Sequence, residues 1–208
     1  MPLTKELWDR NFNIALLCLE TKFVQGIKHG DLPKKLFQDY IAQDFYFLES
    51  FRKAYQLALL KSNNPKSSKS LNILLQGVSE ELILHKTYSK SWDVDLTKQT
   101  LSLSTKKYTD FLENISMKCN LIEILCAMTP CMRLYAWLGK SLEGNSQNNP
   151  YKEWIDTYSD DGFEQLAQSL EQLIDESEES FDISRADYLY RAAMKLELEF
   201  FSNYSYSN

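Results

Sequence analysis

Glycine, proline and histidine are scarce in this chain. Its 208 residues include six glycines, five prolines and two histidines, and the glycine share lies well below the usual value of about 7%. Sandwiches and barrels need many tight turns, which glycine and proline supply. The scarcity therefore predicts a mainly helical chain. Because 44% of the residues are hydrophobic and 13% aromatic, the chain can bury a sizeable core, which excludes wholesale disorder.

An excess of basic charge and an export signal are missing as well. The 29 acidic and 23 basic side chains give a net charge of -6, whereas nucleic-acid binders show a basic footprint. Residues 1–6 lack the basic-then-apolar order of a signal peptide, and the apolar run at 14–19 is far shorter than the ~20 residues of a membrane span. We therefore expect a cytoplasmic protein with no nucleic-acid or membrane partner.

Cysteine pairs with metal-binding spacing are also missing. Without export, the four cysteines are expected to be reduced thiols. No Cys-x-x-Cys pair occurs in the sequence, and two histidines are few for a zinc site built from cysteine and histidine. The cysteines are Cys18, Cys119, Cys126 and Cys131.

Apolar residues recur at three- and four-residue steps through most of the chain, which predicts α-helices. The predicted helices cover about 4–26, 31–61, 69–92, 104–118, 121–142, 150–158, 161–176 and 182–202. Thr4 and Asn120 are the expected N-caps of two of them, and residues 176–180 are expected to form a solvated acidic turn. The sequence therefore predicts a single all-α domain over residues 1–208 with about seven to nine helices.

Two predicted helices carry a carboxylate in the middle of an apolar stripe. Asp44 interrupts the stripe of the second helix, and Glu197 interrupts that of the last helix. A buried carboxylate costs several kcal/mol unless it is paired or hydrogen-bonded, so each acid either lies at the stripe edge or meets a buried Lys, Arg or Tyr. Two such acids on separate helices favour a polar pocket inside the bundle. The stripes are Phe37, Ile41, Leu48, Phe51 and Tyr55, and Ile183, Ala186, Tyr190, Met194 and Phe201.

The helix at 121–142 adds a thiol to these two acids. Cys131 follows Pro130 and shares a helix face with Tyr135. A buried cysteine is usually a small core hydrophobe, and aromatic residues at helical spacing usually belong to the core. A carboxylate-bridged di-iron site would need about four carboxylates and two Glu-x-x-His pairs. Glu81 precedes His85 by four residues instead of three, and no second pair exists, so this pattern matches only in part.

The residues around these positions resemble those of the TenA/thiaminase II family, the aminopyrimidine aminohydrolases of thiamin salvage. The resemblance implies the heme-oxygenase-like helical fold and a hydrolase that works without a cofactor or metal. It also implies a homodimer or homotetramer. The matching stretches follow the family's order along nearly the whole chain, at 23–27, 30–33, 40–48, 125–135, 151–158 and 197–201.

The resemblance also implies roles for individual residues. Asp44 falls at the carboxylate that recognises the aminopyrimidine, Cys131 at the nucleophile and Glu197 at the acid/base carboxylate. The remaining substrate-binding positions are Phe47, Tyr108, Tyr135 and Tyr158. The implied reaction releases ammonia from 4-amino-5-aminomethyl-2-methylpyrimidine, or formate from its N-formyl derivative, on the route to the hydroxymethylpyrimidine.

Two departures from the family pattern leave the role of Cys131 open. Phe47 lies where the family often has tyrosine, and Arg133 replaces an aromatic residue that is common in the cysteine-dependent enzymes. The local sequence around these two residues resembles that of a plant-type subgroup. This subgroup is associated with deformylation and does not depend on an active-site cysteine. A metal-dependent oxidase of the same fold, or a non-catalytic ligand-binding or interaction protein, is the alternative function.

Overall fold

All regular structure that the computed structural model describes is helical. The described residues are 1–96, 100–144, 148–177 and 182–205, and the three residues 178–180 of the expected acidic turn lie outside them. The all-α prediction is confirmed, while the single domain over 1–208 stays a prediction. The helices in the described ranges are α1 (Leu3–Leu19), α2 (Lys22–His29), α3 (Lys34–Lys61), α4 (Pro65–Ser91), α5 (Leu103–Lys118), α6 (Leu121–Leu142), α7 (Lys152–Ser159), α8 (Asp161–Asp175) and α9 (Ile183–Ser202).

Helix α6 lies at the centre of the bundle and packs against α3, α5, α7, α8 and α9. It begins at the predicted cap: Asn120 Oδ1 accepts from the Glu123 amide at 2.9 Å, and the Glu123 side chain accepts from the Asn120 amide in return. By length and composition α6 could also cross a membrane, but 83% of its apolar window is buried inside the bundle. Its apolar character is therefore that of a core helix.

The predicted first helix at 4–26 is wrong in one respect, because it consists of two helices. Helix α1 ends at Leu19, and Thr21 is the N-cap of α2, its hydroxyl accepting from the Val24 amide at 3.3 Å. The same hydroxyl donates to the Cys18 carbonyl at 2.7 Å. The Thr21 hydroxyl thus forms hydrogen bonds with backbone groups of both helices. These bonds stabilise the break between α1 and α2.

The predicted N-cap of α1 and the predicted start of α4 are also wrong. Thr4 lies inside α1, and its hydroxyl and amide donate to the Asp175 carboxylate at 2.6 and 2.9 Å. The cap of α1 therefore comes from the end of α8. Helix α4 begins at Pro65 instead of residue 69, because Asn64 caps it by accepting from the Lys66 amide at 2.8 Å and proline is well tolerated in a first turn.

Helices α6 and α7 approach each other closely at Gly139. A Cβ atom on Gly139 would overlap the backbone of Tyr158 and Ser159. Because glycine has no Cβ, α7 can lie directly on α6. This close packing places Tyr158 beside Tyr135 of α6, with ring centroids 4.7 Å apart.

Candidate active site

A cavity of about 250 Å³ lies between α3, α4, α6, α7 and α8. Its walls are mainly aromatic, and its polar groups include three carboxyl groups and one thiol, those of Asp44, Glu80, Glu81 and Cys131. A small apolar cavity with a few convergent polar groups is typical of a small-molecule site. The aromatic walls come from Phe47, Phe51, Tyr55, Tyr135, Tyr158 and Phe163.

The structure brings most of the predicted site residues to this cavity. Asp44, Phe47, Cys131, Tyr135 and Tyr158 line it directly. The two others, Tyr108 and Glu197, lie behind them: the Tyr108 hydroxyl donates to Glu197 Oε1 at 2.7 Å, and the thiol of Cys131 interacts with the Glu197 carboxyl. Glu197 is therefore linked to the cavity through Cys131.

The carboxyl group of Glu197 is surrounded by protein on all sides. Only 1% of the residue is exposed. Burial raises its pKa to about 8, and the interactions with Tyr108 and Cys131 offset only part of this rise. Glu197 is therefore mostly protonated at neutral pH, and it titrates in the range in which a carboxyl group can both give and take a proton.

Asp44 is also buried, with 4% of the residue exposed, and burial raises its pKa to about 7. His85 Nδ1 lies 3.9 Å from Asp44 Oδ2. The other ring nitrogen, Nε2, lies 2.8 Å from the Ile41 carbonyl oxygen. Because a carbonyl only accepts, Nε2 carries the hydrogen and the lone pair of Nδ1 faces Asp44. Burial lowers the His85 pKa, which favours this neutral ring.

The thiol of Cys131 is protonated in this environment. Burial raises its pKa well above the ordinary thiol value, and the charges of Glu197, Asp44 and Glu81 act in the same direction. Thiolate rather than thiol is the strong nucleophile. Cys131 could therefore attack a ligand only after passing its proton to a neighbouring base, and Glu197 can take it in the fraction of molecules in which this carboxyl group is ionised.

A hydrogen-bonded aromatic layer supports the cavity on the side of α2 and α7. The Trp154 indole donates to the Tyr40 hydroxyl at 3.1 Å, and the hydroxyls of Tyr40 and Tyr135 are 3.4 Å apart. The ring of Phe23 on α2 lies 4.7 Å from that of Tyr40. Buried tyrosine and tryptophan need partners for their polar atoms, and this chain of contacts holds Tyr135 at the cavity wall.

Comparison with known proteins identifies the family. A model of the TENA/THI-4/PQQC family matches residues 11–208. The chain belongs to this family.

Several known proteins are similar to this member of the family. The bifunctional TH2 protein of Arabidopsis thaliana is 33% identical over 96% of this chain, which spans 36% of that protein. A Bacillus subtilis protein named aminopyrimidine aminohydrolase is 30% identical, covering 88% of this chain and 78% of its own. A TenA homologue from P. horikoshii OT3 has a TM-score of 0.91 and 26% identity, with 98% of both chains covered.

The heme-oxygenase-like fold expected from the TenA resemblance is confirmed. Heme oxygenase-1 from Synechocystis sp. PCC6803 aligns with a TM-score of 0.65 over 98% of this chain and 92% of its own, at 13% identity. Such low identity shows the shared fold alone. In the described part of the chain, no group of three or more His, Cys, Asp or Glu side chains is arranged to hold a metal ion.

The two departures from the TenA pattern have different surroundings. Phe47 lies at the cavity and contacts Tyr108, with ring centroids 4.7 Å apart. Arg133 points away from the cavity and binds Glu164 and Glu171 through paired hydrogen bonds of 2.7–2.9 Å. Paired bonds of this kind hold a guanidinium in a fixed orientation, so Arg133 ties α6 to α8.

Sequence reasoning did not assign Glu81 or Tyr55 to the site, although both line the cavity. Glu81 lines it from α4 and accepts from the Tyr158 hydroxyl at 3.5 Å. Burial, together with the charge of Asp44, raises the Glu81 pKa to about 7. The Tyr55 hydroxyl is buried and has no hydrogen-bond partner among the described residues. Glu81 follows Val78 by three residues and precedes His85 by four, the same spacing that singled out Asp44.

A second cavity of about 420 Å³ adjoins the first. Asp44, Glu81, Thr157 and Tyr158 line both cavities and so form the boundary between them. The second cavity is also lined by Tyr40, His85, Tyr88, Glu153 and Trp154. A ligand in the aromatic cavity would therefore meet two carboxyl groups where the cavities join.

Proposed function

We propose that this chain hydrolyses C–N bonds of aminopyrimidines in thiamin salvage. The substrates would be 4-amino-5-aminomethyl-2-methylpyrimidine, its N-formyl derivative, or both. The observation that supports this most is the joint placement of Asp44 and Cys131 on an aromatic cavity, with Glu197 directly behind the thiol. The similar proteins named aminopyrimidine aminohydrolase point to the same reaction class.

In this proposal Asp44 recognises the pyrimidine ring. Its two oxygens can accept from an exocyclic amino group and from a neighbouring protonated ring nitrogen, an arrangement that selects an aminopyrimidine. Phe47, Tyr135 and Tyr158 line the same cavity, where in this proposal their rings contact the substrate and exclude water. Asp44→Asn would place a donor against a donor and should weaken ring binding.

For the amine substrate, Cys131 acts as the nucleophile. The thiol passes its proton to ionised Glu197, the sulfur adds to a ring carbon, and a ring nitrogen takes up the electron pair together with the proton that Glu197 returns. Ammonia then leaves the exocyclic methylene, water adds there, and the thiolate is expelled, which restores the ring and gives the alcohol. Covalent catalysis of this kind divides one difficult step into easier ones.

For the N-formyl substrate the thiol is not needed. Water adds to the formyl carbon while a carboxylate accepts its proton, and the tetrahedral intermediate then breaks down to formate and the amine. The departing nitrogen needs a proton, which Glu197 supplies because its raised pKa keeps it protonated. Both reactions therefore use Glu197 to move a proton, whereas only the first uses Cys131.

An assay with three substrates tests the proposed function. The purified chain is incubated with the aminomethylpyrimidine, its N-formyl derivative and thiamin, and ammonia, formate and pyrimidine products are measured. We expect release of ammonia or formate, and the relative rates identify the preferred substrate. Release of neither product, together with stoichiometric iron in the purified protein, would favour a metal-dependent oxidase of the same fold instead.

We also propose that the protein is a cytoplasmic homodimer or homotetramer, as the resemblance implies. Apolar side chains on the exposed part of α1, Leu16 and Leu17, are available for an interface. Light scattering at micromolar concentration measures the mass directly. A monomeric mass of 24.3 kDa would contradict the proposal.

A further inference from the structure

The two adjoining cavities are lined by acidic side chains but, among the described residues, by no Lys or Arg. Asp44 and Glu81 line both cavities, Glu80 lines the first and Glu153 the second, whereas no Lys or Arg lines either one among the described residues. The nearest basic residue in sequence to Cys131 is Arg133, which is bound to Glu164 and Glu171. A cationic ligand in this space would therefore meet carboxyl groups that have no Lys or Arg beside them and whose nearby His85 is favoured in its neutral form by burial.

Glu81 has hydrogen-bonding capacity to spare. Its Oε1 accepts from Tyr158 at 3.5 Å, a long contact, and its Oε2 has no hydrogen bond to the described residues. Glu81 is half-buried and lines both cavities. A carboxylate in a largely apolar cavity needs a partner to be stable in its charged form. The side chain is thus positioned to bind a group on the ligand.

The proposed substrates differ in charge at one place only. An aliphatic amine has an ordinary pKa near that of lysine, about 10, so the aminomethyl group is a cation at neutral pH. Its N-formyl derivative is a neutral amide. With Asp44 taken up by the ring, Glu81 is the other carboxyl group at the junction of the cavities, and a cation there would form a charge-assisted hydrogen bond.

We propose that Glu81 binds the protonated aminomethyl group of the substrate and so determines the preference for the charged amine over neutral pyrimidines. This inference rests on the proposed function. A carboxylate against the ammonium also keeps the proton on the leaving nitrogen, so that the nitrogen departs as neutral ammonia. Glu197 then moves only the proton exchanged between Cys131 and the ring.

The test compares a charged and a neutral ligand of nearly the same shape. Calorimetry at pH 7.5 measures the dissociation constants of the aminomethylpyrimidine and the hydroxymethylpyrimidine for the full chain and for Glu81→Gln. We expect Glu81→Gln to weaken amine binding by roughly 10- to 100-fold, the value of a hydrogen bond to a charged group. The dissociation constant of the hydroxymethylpyrimidine should change by less than about threefold. Retained binding of this alcohol also shows that the variant is folded.

Two further variants sharpen the comparison. Glu81→Asp keeps the charge on a shorter side chain and should recover part of the amine affinity. Glu113→Gln removes the same charge from an exposed position on α5 and should leave both affinities unchanged. If Glu81→Gln weakens both ligands equally, or neither, Glu81 is only part of the cavity wall and the inference is wrong.

The same measurements separate this inference from the proposed function. If both ligands bind the unmodified chain but no substrate is turned over, the proposed hydrolysis is wrong. The ratio of the dissociation constants of the aminomethylpyrimidine and the hydroxymethylpyrimidine in Glu81→Gln still decides the role of Glu81. If substrates are turned over and the ratio does not change, only the role of Glu81 is wrong. If neither ligand binds the unmodified chain, both proposals are overturned.

Discussion

Two aspartates on α3 show how strongly the surroundings change one side chain. Asp39 lies at the surface and pairs with Lys35 at 2.6 Å, a contact that contributes little to stability because both groups are solvated. Asp44, five residues later, is buried at the cavity with its pKa raised to about 7. The apolar stripe around Asp44 distinguishes the two in the sequence, because Asp39 lies on the solvated face.

Replacement of Glu197 by glutamine tests its role in proton transfer. Glutamine keeps the shape and can still accept from Tyr108, so substrate binding should change little. We expect kcat to fall by roughly 10²- to 10⁴-fold for ammonia and formate release alike, the usual effect of a positioned acid or base. Steady-state kinetics with both substrates measure kcat and KM separately. Unchanged turnover in Glu197→Gln would contradict both reaction schemes.

Replacement of Cys131 by serine separates the two schemes. A serine hydroxyl ionises far less readily than a thiol, so a route through a sulfur adduct should be almost abolished. Because the raised pKa of Cys131 disfavours the thiolate, we expect formate release from the N-formyl substrate to stay within a fewfold of the unmodified chain. Loss of formate release as well, with ligand binding retained, would show that the thiol serves both reactions.

Asp44 and Glu197 could be found from the sequence because each interrupts an apolar stripe, whereas Cys131 fits such a face as a core residue and takes its role only from the family resemblance. Glu81 interrupts a similar face on α4, between Val78 and His85, but it was compared only with a di-iron pattern and was missed. Tyr55 could not be found in this way. A tyrosine at helical spacing fits the core equally well, and only the packing shows that its hydroxyl lacks a partner.

Among the elements, the contact between α6 and α7 depends on the missing side chain of Gly139. A Cβ there would overlap the backbone of Tyr158, so Gly139→Ala should push α7 outward and loosen the cavity wall. We expect a lower melting temperature and a raised KM, with an effect of at least about 1 kcal/mol on unfolding, as for other overpacked sites. Ser141→Ala, at an exposed position on α6, is the control and should change neither quantity.

The sequence predicts a helix end well where the capping residue and its partner are close in sequence. It predicts a helix end poorly where the partner belongs to a distant helix. Asn120 was recognised as a cap because its partner Glu123 is three residues away. Thr4 was assigned the wrong role because its partner, Asp175, belongs to α8. The break at Thr21 was missed because helical periodicity continues across it, although threonine is a common N-cap.

For the whole molecule, the buried acids predict how stability depends on pH. The pKa values of Asp44, Glu81 and Glu197 rise to about 7, 7 and 8 on folding, so the folded chain holds protons that the unfolded chain has released. Without ligand, the free energy of unfolding should therefore fall between pH 5 and 8, by up to about 1.4 kcal/mol per pH unit for each group. Urea unfolding at several pH values measures this slope.

One histidine opposes this trend at the acidic end. The pKa of His85 is lowered on folding, so below about pH 6.5 its contribution rises with pH and offsets part of the fall. The decrease in the free energy of unfolding should therefore be clearest above pH 6.5. The double variant Asp44→Asn, Glu197→Gln removes two of the three acids and should show a shallower slope. A free energy of unfolding that increases from pH 6.5 to 8 would contradict the pKa shifts.

The contact between Thr4 and Asp175 also bears on how the chain is made. These residues are 171 positions apart, so during synthesis on the ribosome the first turn of α1 is complete long before its cap has been translated. An uncapped first turn frays, because its amides have no partners. We therefore expect the beginning of the chain to acquire its final structure late, when α8 has left the exit tunnel and docks against it.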